Sequence, residues 1–141
     1  MAQDENLAAL GKLAEAVSSG DLAVLDEVFA PNVVDHDPAP DQGPGPDGYK
    51  RFFSGLRAAF PDLTVTVDRL VQTETDIAIA YTIHGAHRGE FAGTAPTGRP
   101  ITARGMQIAR FEDGKIIERW SSSVGMLLKL GAKVSPGLPR H

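Results

Sequence analysis

The stretch from Asp47 to Asp68, DGYKRFFSGLRAAFPDLTVTVD, changes its period in the middle, and that change decides the fold class. Before Pro61 the side chains Tyr49, Phe52, Phe53, Leu56 and Phe60 recur at three- and four-residue steps, an aromatic-rich face of a helix that Asp47 would cap. Proline lacks the N–H that a helix interior needs, so Pro61 ends it. After it Leu63, Val65 and Val67 alternate with Thr64, Thr66 and Asp68, the period of two that belongs to a half-buried strand.

Toward the N-terminus the pattern is helical. Asp4 is a suitable cap for a helix whose Leu7, Leu10, Leu13, Ala14 and Val17 share one side, and Ser18-Ser19-Gly20 ends it. Asp21 would cap a shorter second helix through Leu22, Leu25, Val28 and Phe29, stopped by Pro31, so two helices are expected before any strand. Residues 38–48, PAPDQGPGPDG, hold four prolines and three glycines and read as a loop.

Toward the C-terminus the pattern is extended. Ile77, Ile79, Tyr81 and Ile83 face one way and Ala78, Ala80, Thr82 and His84 the other. A third strand runs from Ile101 to Phe111, and Asp113-Gly114 supplies the positive φ angles of a two-residue hairpin turn into a fourth strand, Ile116 to about Ser123. Pairing counted from that turn sets Phe111 opposite Ile116, Ala109 opposite Glu118, Gln107 opposite Trp120 and Gly105 opposite Ser122. Gln107, Trp120 and Ser122 then form one patch, an apolar wall with donors and an acceptor; a loop one residue longer would turn it to the other face. The segment VGMLLKLG reads as a last helical turn or two ending at Gly131.

Helices followed by an antiparallel meander give an α+β fold: a cone-shaped curved antiparallel sheet with three N-terminal helices enclosing a pocket. Residues 1–132 are expected to form this single domain and 133–141 a loose tail.

Composition narrows the function. With no cysteine among 141 residues there is no disulfide framework, thiolate metal site or cysteine nucleophile. A formal charge of -4 is the wrong sign for binding nucleic acid or an anionic membrane. The first residues, MAQDENLAALGKLAEAV, lack the basic leader and continuous apolar run of a signal peptide, and no stretch approaches the roughly 20 apolar residues of a membrane span, so a cytoplasmic protein is expected. No spacing resembles a metal site: His84 and His87 are three apart, and on a strand they point to opposite faces. Serines 121–123 have no nucleophile elbow around them. Arg104 and Arg110 alternate with Met106 and Ile108 as surface or ion-pair residues.

The order of GDL-x-x-LDEVFAPNVVDHDP, GYKRFFSGLRAAFPDL, HGAHRGEFAGTAPTGRPI, RFEDGKIIERW and GMLLKLGA, together spanning Asn6 to Ala132, closely resembles the SnoaL-like polyketide cyclases, or ester cyclases, of the nuclear-transport-factor-like group of α+β cones. The resemblance implies an aldol ring closure without metal or organic cofactor, in which a pocket acid takes a proton from carbon beside a carbonyl. It also implies pairing of two copies through the outer face of the sheet, a homodimer. The family's acid follows the tryptophan of the last strand by a few residues. Here Trp120 is followed by Ser121-Ser122-Ser123-Val124-Gly125, with no carboxylate.

Three residues are candidates to replace that acid. His36, in Val34-Asp35-His36-Asp37-Pro38, lies at the expected mouth of the cone, and its type titrates near pH 6.5. His87 matches the family's glycine, small residue, histidine, any residue, glycine segment at a strand end. Asp35 is the third. A loop histidine tied to Asp35, or a loop-fixing histidine at 87, is the competing structural role. Trp120, Gln107, Ser122, His84 and Phe53 are the expected substrate contacts, His84 because its small neighbours Ala78, Ala80 and Thr82 leave room for a ligand or for helix packing. The expected function is a cofactor-independent enzyme that abstracts a proton from a small apolar, polyketide-like carbonyl compound, leading to cyclisation or isomerisation. The alternative is a non-catalytic binding protein for a hydrophobic metabolite. A hydrolase is disfavoured, because the strands offer no two-carboxylate-plus-arginine set.

Overall fold

The computed structural model describes residues 2–39, 42–91 and 95–122. Helix α1 (Ala2–Ser19) is followed by a single 3-10 turn (Leu22–Val24), a one-turn helix α2 (Leu25–Val28), strand β1 (Phe29–Asp35), helix α3 (Gly45–Ala59) and strands β2 (Thr64–Gln72), β3 (Asp76–Ala86), β4 (Pro100–Glu112) and β5 (Lys115–Ser122). The strands form one curved, unclosed sheet in the order β1-β5-β4-β3-β2, with α1 and α3 packed over its concave face. No described helix is long and apolar enough to cross a membrane. The expected final helical turns after Val124 and the tail 133–141 lie outside the described residues.

The helical stripes become the core. Leu10, Leu13 and Val17 of α1 and Leu56 of α3 are buried against Ile77, Ile101, Phe111 and Ile116 of the sheet. Tyr49 stacks flat on Phe29, with ring centroids 3.9 Å apart. Arg57 of α3 donates from Nη1 to the carbonyl oxygens of Val17 and Ser18, 2.8 Å each, and so satisfies the open end of α1.

Three boundaries differ from the sequence reading. Helix α1 begins at Ala2, so Asp4 sits in its first turn rather than at its cap. Asp21 makes no capping bond, and α3 starts at Gly45 with Pro44 as cap, so Asp47 also lies inside the first turn. Most consequentially, Pro31 does not terminate a helix: Phe29 already belongs to β1, which runs through the proline. β1 is an edge strand, where a residue without an N–H is tolerated because one side of its ladder is open. It pairs in parallel with β5, which makes an otherwise antiparallel sheet mixed.

The hairpin forms as expected, with Asp113 at φ 53° and Gly114 at φ 75°, and Phe111 opposite Ile116. Beyond that pair the register slips by one residue. Arg110 lies opposite Glu118, so Ile117 is an extra residue on β5, and from there Ala109 faces Arg119, Ile108 faces Trp120, Gln107 faces Ser121 and Met106 faces Ser122. Side chains alternate strictly along a strand, so this bulge exchanges the two faces of β5.

Candidate functional site

The bulge turns Arg119 and Ser121 to the concave face beside Gln107, while Trp120 and Ser122 go to the convex face beside Ile108 and Met106. The concave face is the floor of a cavity of about 120 Å³. Its walls are apolar: Leu10, Leu13 and Val17 from α1, Phe52, Phe53 and Leu56 from α3, and Val65, Val67, Ile79 and Ile83 from the sheet. One end is polar, formed by Asp37, Gln42, Tyr49, Tyr81, Gln107, Arg119 and Ser121.

Arg119 organises that end. Its Nε donates to Gln107 Oε1 at 2.9 Å, and its Nη1 donates to Asp35 Oδ2 at 3.2 Å and to Ser121 Oγ at 3.0 Å. Asp35, at the end of β1, lies behind the cavity wall. Its Oδ2 also accepts from the Tyr49 hydroxyl at 2.7 Å and from Gln42 Nε2 at 3.3 Å, and its Oδ1 accepts the Asp37 N–H at 2.9 Å. The two charged side chains are 16% and 7% exposed, so this ion pair is buried, and such pairs hold only when hydrogen bonds satisfy what the charges leave over. Here those bonds are present.

The same surroundings fix the two tyrosines as neutral donors. Burial pushes the Tyr49 hydroxyl well above its ordinary range, and the bond to the Asp35 carboxylate and that carboxylate's charge push it further. Burial also raises Tyr81, partly offset by the nearby Arg119 charge. Gly105 makes room for the Tyr81 ring: a Cβ there would lie 2.6 Å from Tyr81 Cζ and Oη.

Of the residues expected at the site, Gln107 and Phe53 line the cavity, and Asp35 lies just behind it. His36 does not face the cone. It lies flat on Trp120, centroids 4.7 Å apart and 10° from parallel, with Nε2 2.9 Å from a Glu118 carboxylate oxygen; Glu118, Trp120 and Ser122 are likewise on the convex side. His84 is exposed on that face, its Nδ1 3.2 Å from the Thr102 hydroxyl. His87 is fully buried, stacked on Phe60 at 5.3 Å and 3.4 Å from Thr97 Oγ1, with no partner for Nε2 among the described residues. It is outside the cavity lining, in the core where the strand end meets α3. Thus His36 and Trp120 do come together, but on the opposite face from the one expected.

Sequence reasoning missed Arg119, Ser121, Asp37, Gln42 and Tyr81 as cavity residues. The alternation Glu118-Arg119-Trp120-Ser121 carried the signal for two of them, and the bulge at Ile117 inverted its reading.

A family model described as SnoaL-like polyketide cyclase matches residues 8–124. No curated protein matches. Among solved structures, the chain is 37% identical to IdmH from Streptomyces antibioticus, a proposed polyketide cyclase, over 90% of this chain and 99% of that one, with a TM-score of 0.73. It is 27% identical to AclR from Streptomyces galilaeus, a proposed hydroxylase, over 94% of this chain and 89% of that one, with a TM-score of 0.75. TsrD from Streptomyces laurentii is similar in fold, with a TM-score of 0.82 at 23% identity over 93% of this chain and 98% of that one.

Proposed function

Since the chain belongs to the SnoaL-like polyketide cyclase family, we propose that it is a cofactor-independent enzyme that removes a proton beside a carbonyl of a small, largely apolar, polyketide-like compound, leading to ring closure or isomerisation. The observation that carries this reading is the position of Arg119. A permanently charged guanidinium lines the polar end of a cavity whose remaining walls are apolar, pinned on two of its nitrogens by Gln107, Asp35 and Ser121. Its Nη2 has no bond to another described residue. Charge develops on the carbonyl oxygen as the carbon gives up its proton, and a fixed donor in a place with little water stabilises that charge without having to reorganise. The apolar walls suit the hydrocarbon part of such a molecule, and the polar end suits its oxygen.

In this reading Asp35 positions Arg119 and does not touch substrate. His36, Trp120, Ser122 and His84, facing away from the cavity, are assigned to the outer surface, and His87 to the core. That outer surface is where we propose a second copy of the chain docks: Val34, Val71, Met106 and Ile108 are exposed there, beside the small residues Ala78 and Ala80. The expected compartment is the cytoplasm.

The test is exchange of the C2 hydrogens of α-tetralone, a two-ring ketone, for deuterium in heavy water, followed by proton NMR. The expected result is a rate above buffer that saturates with ketone. A rate equal to buffer, with saturable binding of the ketone, would favour the alternative of a non-catalytic binding protein.

A further inference from the structure

We propose that Asp37 is the general base of this cavity, an inference that rests on the proton-abstraction reading above. Among the described residues lining the cavity it is the single carboxylate, and no histidine is among them. The other titratable groups there cannot take a proton at neutral pH: Tyr49 and Tyr81 hold theirs more tightly than usual, and Arg119 is already charged.

Asp37 is held at both ends. Its N–H donates to Asp35 Oδ1 at 2.9 Å, and its Oδ2 accepts the Ser121 N–H at 2.9 Å. Oδ1 is bonded to no other described residue. Ser121 in turn accepts Arg119 Nη1 on its hydroxyl, so one residue of β5 holds the carboxylate through its backbone and the guanidinium through its side chain. Base and anion-stabilising cation are thereby fixed on the same short piece of strand. The sequence of β5 has no acid after Trp120. The chain that leaves β1 instead brings the Asp37 carboxylate beside this strand, anchored on the Ser121 N–H.

The step balances without another reactant. The C–H bond beside the carbonyl breaks, its proton passes to Asp37 Oδ1, and its electron pair forms an enolate whose oxygen accepts N–H bonds from Arg119. In a ring closure the enolate carbon bonds to a second carbonyl carbon, and the resulting alkoxide takes the proton back from Asp37. In an isomerisation the proton returns to a different carbon.

The experiment repeats the α-tetralone exchange with Asp37→Asn and Asp37→Ala, alongside circular dichroism and 1-naphthol affinity as measures of fold and cavity. Asp37→Asn should lower exchange at least about 100-fold, in keeping with the usual size of general-base catalysis, while naphthol affinity changes less than about threefold. Sodium formate should restore part of the exchange to Asp37→Ala, which a purely structural role would not allow. Exchange by Asp37→Asn within threefold of wild type overturns the assignment and leaves the wider reading standing. So does failure of formate to rescue a folded Asp37→Ala. A wild-type rate no faster than buffer overturns the proton-abstraction reading itself, and the role of Asp37 with it.

Discussion

Asp35 and Arg119 face each other across the parallel β1–β5 pair, and their side chains meet at 3.2 Å behind the cavity wall. A single ion pair thus ties the last residue of the edge strand to the floor of the pocket. Replacing Asp35 with alanine leaves a buried guanidinium without its counter-charge. The expected cost is about 3–5 kcal/mol, which for a domain of this size lowers the melting temperature by on the order of 10 °C. Tyr49→Phe removes one donor to the same carboxylate and should cost less, about 1.5–3 kcal/mol. Thermal unfolding followed by circular dichroism gives both numbers, and an Asp35→Ala protein as stable as wild type would contradict the buried pair.

The chain has two tyrosines, Tyr49 and Tyr81, and both hold their protons above the ordinary value of 10.0. Tyrosinate absorbance at alkaline pH should therefore show no half-ionisation at pH 10 in the folded protein, and an ordinary one in denaturant. The sign for stability follows. The unfolded chain loses its tyrosine protons first as pH rises through 10, so the folded state loses stability above that pH and keeps the full contribution below it. Tyr49→Phe should flatten this alkaline decline; an unchanged slope would show that Tyr49 does not cause it.

How much of this was legible in the sequence depends on whether a signal is local. The helix ending at Pro61, the strand after Leu63 and the Asp113-Gly114 turn are written in neighbouring residues, and all three formed. β1 was hidden because Leu25, Val28 and Phe29 continue a helical spacing across the boundary, and Pro31, legal on an edge strand, looks like a stop. The hairpin count was right at Phe111 and Ile116, then failed by one residue at Ile117, which moved Trp120 out of the cavity and Arg119 into it. Nothing local announces that bulge. Arg119 is legible as a site residue only once β1, α3, β4 and β5 are assembled, because its partners and theirs come from all four.

On the convex face, Met106 is 64% and Ile108 44% exposed. Light scattering at micromolar concentration should give twice the chain mass of 15.0 kDa for the wild type. Met106→Lys with Ile108→Lys should give the single-chain mass with the fold retained, since both side chains are already solvent-facing. A wild-type monomer would refute pairing through this face.

Arg119 is the group proposed to meet the substrate oxygen inside the cone. A crystal structure with 1-naphthol bound tests this directly. The expected result is the rings between Phe52, Phe53 and the sheet, with the naphthol oxygen about 2.7–3.1 Å from an Arg119 nitrogen. Naphthol on the convex face against Trp120, or in the cavity with its oxygen turned away from Arg119, would contradict it.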